Sequence, residues 1–339
     1  MKHKIFTVLR ILFFLGIGCF FIWLFLRDLT TEQKSDILLY LKKANYWWII
    51  LAIVLGVISH FSRTLRWKML LEPIGYTPKT YNVFFAVFIG YLANLALPRL
   101  GEVSRCGVLT RYEKIPFNKS FGTVITERAI DMLVFALMFF LNIFAQRAIL
   151  YGYIEKYIYE PLAAKLSPGI NFEGSITRIT LISSVIVLAL LILFRRAILL
   201  SKPFLKVSSM IKGFWQGIIS VTKLKKPWLF VFHSLFIWFM YLLMSWVVFL
   251  SLPGTRDLGL DAGLSVLLFA TIGIILVPGG IGIYPVIVAE ILLVYDIPKT
   301  TGFATGWLIW SAQTIMMLIA GTISLILLPI LNRRNHEKA

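Results

Sequence analysis

Charged residues and cysteine are both scarce in this sequence of 339 residues. Only 15% of the residues are charged, against about 25% in an ordinary soluble domain, and the mean hydropathy is +0.84. This composition excludes a soluble globular domain, an intrinsically disordered chain and a collagen. The two cysteines, Cys19 and Cys106, are far apart and lie in or beside apolar segments. That placement excludes a disulfide framework and a zinc site, and packing is the simplest role for both.

Acidic residues and catalytic motifs are also few. The sequence contains no Asp-x-Asp, no Gly-x-Ser-x-Gly and no His-Glu-x-x-His, and its loops leave no room for a nucleotide- or tRNA-binding domain. We therefore expect no enzyme activity and no cofactor. Lys and Arg number 34 against 16 Asp and Glu. In a membrane protein this excess indicates basic loops beside an anionic cytoplasmic leaflet, and we expect no nucleic-acid partner.

Apolar segments long enough to cross a bilayer are abundant. Six are expected to span it, at 7–26, 46–66, 122–145, 176–194, 227–251 and 303–331. The first is interpreted as an uncleaved helix rather than a signal peptide, because no small-residue cleavage site follows it. Three shorter segments, at 82–97, 262–277 and 283–295, fall short of a crossing.

Two Pro-Gly elements interrupt these shorter segments, at Leu97-Pro98-Arg99-Leu100-Gly101 and at Val277-Pro278-Gly279-Gly280-Ile281-Gly282. Proline ends a helix and glycine permits a sharp turn, so both elements predict re-entrant hairpins. Ile115-Pro116 and Ile297-Pro298 follow at similar spacing, which divides a single domain over 1–339 into repeat halves at 46–145 and 227–331. The alternative is that these turns only end tightly packed helices.

Loop charge predicts how the chain is oriented. The stretch from Arg195 to Lys226 holds eight Lys or Arg and no acid, so it is expected to be cytoplasmic, with 198–226 forming an amphipathic segment on the anionic leaflet. Both termini are then expected to lie in the cytoplasm. The first hairpin enters from the cytoplasm and the second from outside, which makes the repeats inverted, as in many transporters.

Charge within apolar segments is costly, so the charged residues around the first hairpin are candidate site residues. They are Arg63, Arg66, Arg99, Glu102, Arg105, Glu127, Arg128 and Asp131. Glu102 and Arg105 are one turn apart and able to pair, and Arg99 with Arg105 is expected to bind a lipid phosphate. Structural alternatives are snorkelling of Arg63 and Arg66, an ordinary Glu102–Arg105 ion pair, and capping by Glu127. The second hairpin offers bare backbone at Pro278, Gly279, Gly280 and Gly282, which either cradles an anion or permits close packing.

Several of these motifs together resemble a known family. They are Asn94-Leu95-Ala96-Leu97-Pro98-Arg99-Leu100-Gly101-Glu102, then Arg105, Arg111, Pro116, Ser120 and Gly122-Thr123-Val124-Ile125-Thr126-Glu127-Arg128-Ala129-Ile130-Asp131, with Pro278-Gly279-Gly280-Ile281-Gly282. Over nearly the whole chain the sequence resembles the lysylphosphatidylglycerol synthase transmembrane (flippase-like, UPF0104) family. The resemblance implies a membrane module that moves aminoacylated phosphatidylglycerol. In longer relatives a synthase or glycosyltransferase domain accompanies the module, and this sequence is expected to carry the module without the synthase domain.

Together with the resemblance, these observations predict an all-α polytopic protein of a bacterial inner membrane that translocates lipid. The expected cargo is an anionic or modified phospholipid or a polyprenyl-linked lipid, and a separately encoded synthase is a candidate partner. One alternative is a membrane-embedded head-group transferase with Glu127 or Asp131 as base. Another is a non-transporting partner of a separate lipid synthase.

Overall fold

A computed structural model describes residues 16, 19–27, 29–97, 99–147, 221 and 224–336 of the chain. Helices are the regular secondary structure throughout these residues, which confirms the predicted all-α class. In chain order they are α1 (Thr31–Lys43), α2 (Tyr46–Leu71), α3 (Thr80–Ala96), α4 (Leu100–Glu113), α5 (Phe117–Ala145), α6 (Pro227–Phe249), α7 (Leu260–Leu276), α8 (Ile283–Leu293) and α9 (Lys299–His336). Residues 19–27 are also helical.

Four helical stretches in the described residues are long and apolar enough to cross a membrane. They are Tyr46–Ile74, Phe117–Ala145, Pro227–Phe249 and Lys299–Arg333. Each corresponds to one of the six predicted spans. The predicted span at 176–194 lies outside the described residues, as do most of the predicted span at 7–26 and of the amphipathic segment at 198–226.

Helix α1 lies between the first two predicted spans, at 7–26 and 46–66. Thr30 and Gln33 begin it with a capping box, in which Thr30 Oγ1 accepts from the Gln33 amide at 3.2 Å and Gln33 Oε1 accepts from the Thr30 amide at 2.9 Å. The helix packs against α9. A search for long apolar segments does not find such a helix, because its apolar residues form only a stripe.

The two halves of the chain repeat the same order of elements. In each, a long helix is followed by a 17-residue helix, α3 or α7, then a turn, a shorter helix, an Ile-Pro pair and another long helix. The residue before each Ile-Pro, Lys114 or Asp296, adopts a left-handed backbone conformation, with φ of 57° and 60°. Non-glycine residues rarely adopt this conformation, and it occurs here at the same place in both halves.

Each hairpin packs against the last helix of the other half: α3 contacts α9, and α7 contacts α5. Helices α2 and α6 pack against each other, and the turn at Pro278–Gly280 contacts α3, so the two hairpins meet.

Two hydrogen-bonded pairs, which we call polar clasps, join these hairpins to the opposite half. In the first, Asn82 Nδ2 donates to Asn332 Oδ1 at 3.1 Å and Asn332 Nδ2 donates to Asn82 Oδ1 at 2.7 Å. In the second, Asn142 Nδ2 donates to Ser265 Oγ at 3.1 Å. Each joins the beginning of a hairpin to the end of a long helix, as expected if the halves are related.

Candidate functional site

Helices α2, α4 and α5 bring five charged side chains into one buried group, which we call the charge cluster. It consists of Arg63, Arg66, Arg105, Glu127 and Asp131, each at most 7% exposed. On α5, Glu127 and Asp131 are four residues apart and therefore share a face, as the sequence predicts. On α2, the three-residue spacing of Arg63 and Arg66 presents both guanidinium groups to that face.

Glu127 is the centre of the charge cluster. Its Oε1 atom accepts from Arg63 Nη1 and, at 3.2 Å, from Arg66 Nη2, while its Oε2 atom accepts from Arg105 Nη1 at 3.0 Å. Asp131 Oδ2 accepts from Arg63 Nη1 at 2.9 Å, and Asp131 Oδ1 lies 2.7 Å from Arg66 Nη1. Two carboxylates thus connect three arginines that come from two other helices.

The charge cluster carries one surplus positive charge, because three arginines face two carboxylates. Burying charge is costly unless it is balanced, so the surplus positive charge of the cluster favours an anion. Arg128 and Glu102 do not alter this balance, because they form a separate pair in which Arg128 Nη2 donates to Glu102 Oε1 at 2.8 Å.

Arg105 is the member of the charge cluster with spare hydrogen-bonding capacity toward a cavity. Its guanidinium lies 4.7 Å from the centre of the Trp67 ring, which is itself fixed because Trp67 Nε1 donates to Thr123 Oγ1 at 2.9 Å. Its Nη1 atom is taken by Glu127, whereas its buried Nη2 atom has no hydrogen-bond partner among the described residues. This combination holds the guanidinium in place and leaves one donor available.

A small cleft of about 10 Å³, with room for about one water molecule, opens beside Arg105, between α3, α4 and α5. Its lining consists of Val87, Gly90, Tyr91, Asn94, Gly101, Glu102, Arg105 and Arg128. Asn94 Oδ1 accepts from the Gly101 amide at 2.7 Å, and α3 approaches α4 so closely there that a Cβ on Gly101 would overlap the Gly90 carbonyl. The cleft wall therefore requires glycine at position 101.

The structure corrects three interpretations of the charged residues. Arg63 and Arg66 are 3% and 0% exposed, so they do not snorkel to an interface. The predicted Glu102–Arg105 pair is wrong, because Glu102 pairs with Arg128 and Arg105 pairs with Glu127. Capping by Glu127 is also wrong, because α5 begins at Phe117 and Glu127 lies well inside it.

Arg99 is not brought together with Arg105. It is exposed, has a left-handed backbone with φ of 66° and directly precedes α4, and it does not line the cleft. Its neighbour Pro98 lies outside the described residues.

The second hairpin has a turn built on left-handed backbone. Gly279, Gly280 and Gly282 have φ of 75°, 66° and 76°, a conformation that glycine adopts at little cost. Trp310 Nε1 donates to the Gly279 carbonyl at 2.7 Å, so this turn is packed against α9. Pro278 begins the turn. The residues of this turn do not line the cleft, in keeping with the close-packing alternative.

Several residues of the site carry no signal in the sequence. Trp67 and Tyr91 do not stand out in the sequence, because 15% of its residues are aromatic. Tyr241 and Ser234 come from α6, far along the chain, and their hydroxyl oxygens accept from Arg63 Nη2 at 3.4 Å and Arg66 Nη1 at 3.2 Å. In the described part of the chain no three His, Cys, Asp or Glu side chains group in a way that would hold a metal ion.

Comparison with known protein families identifies the family of this chain. Residues 8–321 match the family described as the lysylphosphatidylglycerol synthase TM region. The chain belongs to this family. The resemblance seen in the sequence is thereby confirmed, and the chain is a membrane protein of that family. No solved structure matches the chain.

Curated relatives match over part of their length. The UPF0104 membrane protein MJ1595 of Methanocaldococcus jannaschii is 32% identical over 91 residues, 26% of this chain and 27% of that protein. The glycosyltransferase AglD of Haloferax volcanii is 30% identical over 105 residues, 31% of this chain and 17% of that protein. A UPF0104 membrane protein of Methanothermobacter thermautotrophicus is 26% identical over 129 residues, 37% of this chain and 38% of that protein. These relatives are archaeal, so their similarity does not assign the chain to a bacterium.

Proposed function

We propose that this protein is a lipid translocase in which Arg105 binds the phosphate of a lipid head group. The observation that carries the proposal is the buried Nη2 atom of Arg105, which has no hydrogen-bond partner among the described residues. It lies at a cleft beside a cluster with one surplus positive charge. Arginine is suited to this role because its planar guanidinium matches phosphate oxygens and keeps its charge when buried.

The apolar surroundings favour a lipid over a soluble phosphate. The cleft lies in the first hairpin, whose helix α3 is apolar, and the long apolar helices α2 and α5 pack around it. A head group reaching Arg105 would therefore leave its chains among apolar helices. The family description and the glycosyltransferase relative are both consistent with a phospholipid or a polyprenyl-linked lipid as cargo.

The internal repeat supports a role in lipid transport. We place both hairpins within the membrane, the first entering from the cytoplasm and the second from outside, with both termini cytoplasmic. Inverted hairpins that meet at the middle of a bilayer allow one site to face each side in turn. The contact between the turn at Pro278–Gly280 and α3 brings the two hairpins together as this mechanism requires.

Competition for Arg105 provides a way to couple binding to movement. In this structure Glu127 holds Arg105, Arg63 and Arg66 together. A phosphate that binds Arg105 competes with Glu127 Oε2, and the carboxylate then depends on the arginines of α2. Binding would thus loosen α4 from α5 and shift the balance between two arrangements of the hairpin.

The transferase alternative has weaker support. A general base needs an available carboxylate, and arginines hold both Glu127 and Asp131 in this structure. If the protein is instead a non-transporting partner of a separate lipid synthase, substitutions in the charge cluster should leave lipid movement across the membrane unaffected.

Purified protein in liposomes tests the proposal. A fluorescent anionic phospholipid is placed in both leaflets, and dithionite added outside quenches only the outer leaflet, so continued quenching reports exchange. Arg105→Lys keeps the charge and loses the planar fork, and we expect it to slow exchange nearly as much as Arg105→Ala. Arg111→Lys, an exposed arginine on the same helix, is the matched control.

Exchange by Arg105→Lys at the wild-type rate would overturn phosphate binding by Arg105. Chemical conversion of the lipid without exchange would instead favour the transferase.

A further inference from the structure

The cleft contains two buried, unpartnered atoms of opposite hydrogen-bonding character. Arg105 Nη2 is a donor and Glu102 Oε2 is an acceptor, and among the described residues neither has a hydrogen-bond partner. Both side chains line the cleft. A phosphate can accept a hydrogen bond from Arg105 but has no donor for the Glu102 carboxylate. A ligand that satisfies both atoms therefore needs an additional hydrogen-bond donor.

The positions of the two residues suit a single ligand. Glu102 and Arg105 are three residues apart on α4, which places their Cβ atoms about 5–6 Å apart on neighbouring positions of one face. Arg128 of α5 holds the other oxygen of Glu102, Oε1, at 2.8 Å, so Oε2 is oriented by an ion pair rather than free to turn away. The Trp67 ring, whose centre is 4.7 Å from the Arg105 guanidinium, holds that group in place.

We propose that Glu102 determines head-group specificity by accepting a hydrogen bond from an ammonium N–H or a hydroxyl group on the lipid whose phosphate binds Arg105. The inference rests on the proposed function and adds the class of substrate: a phosphodiester lipid whose head group carries an N–H or O–H donor. A lipid without such a donor leaves Glu102 Oε2 buried and unpaired, which costs about 1–3 kcal/mol, or more because the group is charged.

Phosphatidylethanolamine and its N-methylated derivatives test this directly. Phosphatidylethanolamine, its monomethyl form and its dimethyl form all keep at least one N–H, whereas phosphatidylcholine has the same charges and none. Lipid binding to the purified protein is measured by competition under native mass spectrometry. We expect similar affinity for the first three lipids and a fall of about tenfold at phosphatidylcholine, the ratio that corresponds to about 1.4 kcal/mol.

Two matched variants separate the carboxylate from other effects. Glu102→Gln keeps the shape of the side chain and removes its charge, and we expect the fall at phosphatidylcholine to shrink to less than threefold. Glu290→Gln changes a half-exposed glutamate that pairs with Lys299 at 2.7 Å, outside the cleft, and should keep the wild-type pattern.

Each alternative result has a defined meaning. An even decline with each added methyl group in the wild type would show that size sets the preference and would overturn the role of Glu102. A fall at phosphatidylcholine that Glu102→Gln retains would do the same. In either case the proposed function stands if Arg105→Ala weakens binding of all four lipids, and it fails if Arg105→Ala leaves binding of all four unchanged.

Discussion

Replacing Glu127 by glutamine is the sharpest test of the charge cluster, because this one carboxylate is shared by three arginines. The substitution keeps the size of a side chain that is 0% exposed and removes its charge. The buried surplus then rises from one positive charge to two, with Asp131 as the remaining counter-ion. Removing one partner from a buried ion pair costs about 3–5 kcal/mol, so the protein without added lipid should be destabilised by about that amount.

An anionic lipid should restore part of this loss. A phosphate bound at Arg105 supplies the charge that Glu127 no longer provides, so added phosphatidylglycerol should stabilise Glu127→Gln more than it stabilises the wild type. The measurement is the free energy of unfolding in detergent, with and without the lipid. Glu290→Gln is the control, because an exposed ion pair contributes only about 0–1 kcal/mol.

Two outcomes would refute the reasoning. If Glu127→Gln unfolds at the same denaturant concentration as the wild type, the three arginine contacts do not hold the helices together. If the variant is destabilised and phosphatidylglycerol stabilises both proteins equally, the surplus charge is not where the lipid phosphate binds.

Two further predictions concern the hairpin and its orientation. Gly101→Ala should destabilise the protein by about 1–3 kcal/mol in the same unfolding measurement, because its Cβ meets the backbone of α3, whereas Gly107→Ala on the same helix has open space around its Cβ and should be neutral or slightly stabilising. A cysteine placed at Lys114 in a variant without native cysteines should react with an impermeant maleimide only from the cytoplasmic side, and labelling from outside would contradict the proposed direction of the first hairpin.

The sequence alone predicted the elements of the fold better than the pairing within the site. Pro116 and Pro298 mark the repeat because proline has a fixed physical consequence in any helix. The spacing of Glu102 and Arg105 also permitted a pair, but the same spacing cannot show that Arg128, from another helix, competes for Glu102 and wins.

Residues that lie close only in the folded chain were beyond reach for a similar reason. Trp67 stacks on Arg105 across two helices, and Tyr241 reaches Arg63 from α6. Aromatic residues are frequent throughout this chain, so neither stands out before the helices are packed. The charged residues of the site could therefore be predicted, because charge is rare in this chain. The aromatic and hydroxyl side chains that contact them could not.

Variants of the first polar clasp can show whether it only stabilises the fold or also limits movement of the first hairpin. Asn82 and Asn332 exchange two amide hydrogen bonds and are 0% and 9% exposed. Replacing Asn332 by leucine leaves the Asn82 carbonyl oxygen unpaired, which should cost about 1–3 kcal/mol. Replacing both residues removes both amides of the pair and leaves Glu113 Oε1 with the Lys79 amide as its donor. The coupling energy from this double-mutant cycle should reach about 1 kcal/mol, and additive effects would show that the pair contributes nothing jointly.

Lipid exchange by the same variants then distinguishes two roles for the clasp. If the clasp only maintains the fold, exchange should fall in parallel with stability. If the first hairpin moves away from α9 during transport, the clasp must break in each cycle, so weakening it lowers the barrier to movement. The double leucine variant should then exchange lipid faster than the wild type although it is less stable. Slower exchange, in proportion to the lost stability, would assign the clasp to the fold alone and require the first hairpin to remain fixed against α9 while the rest of the site changes.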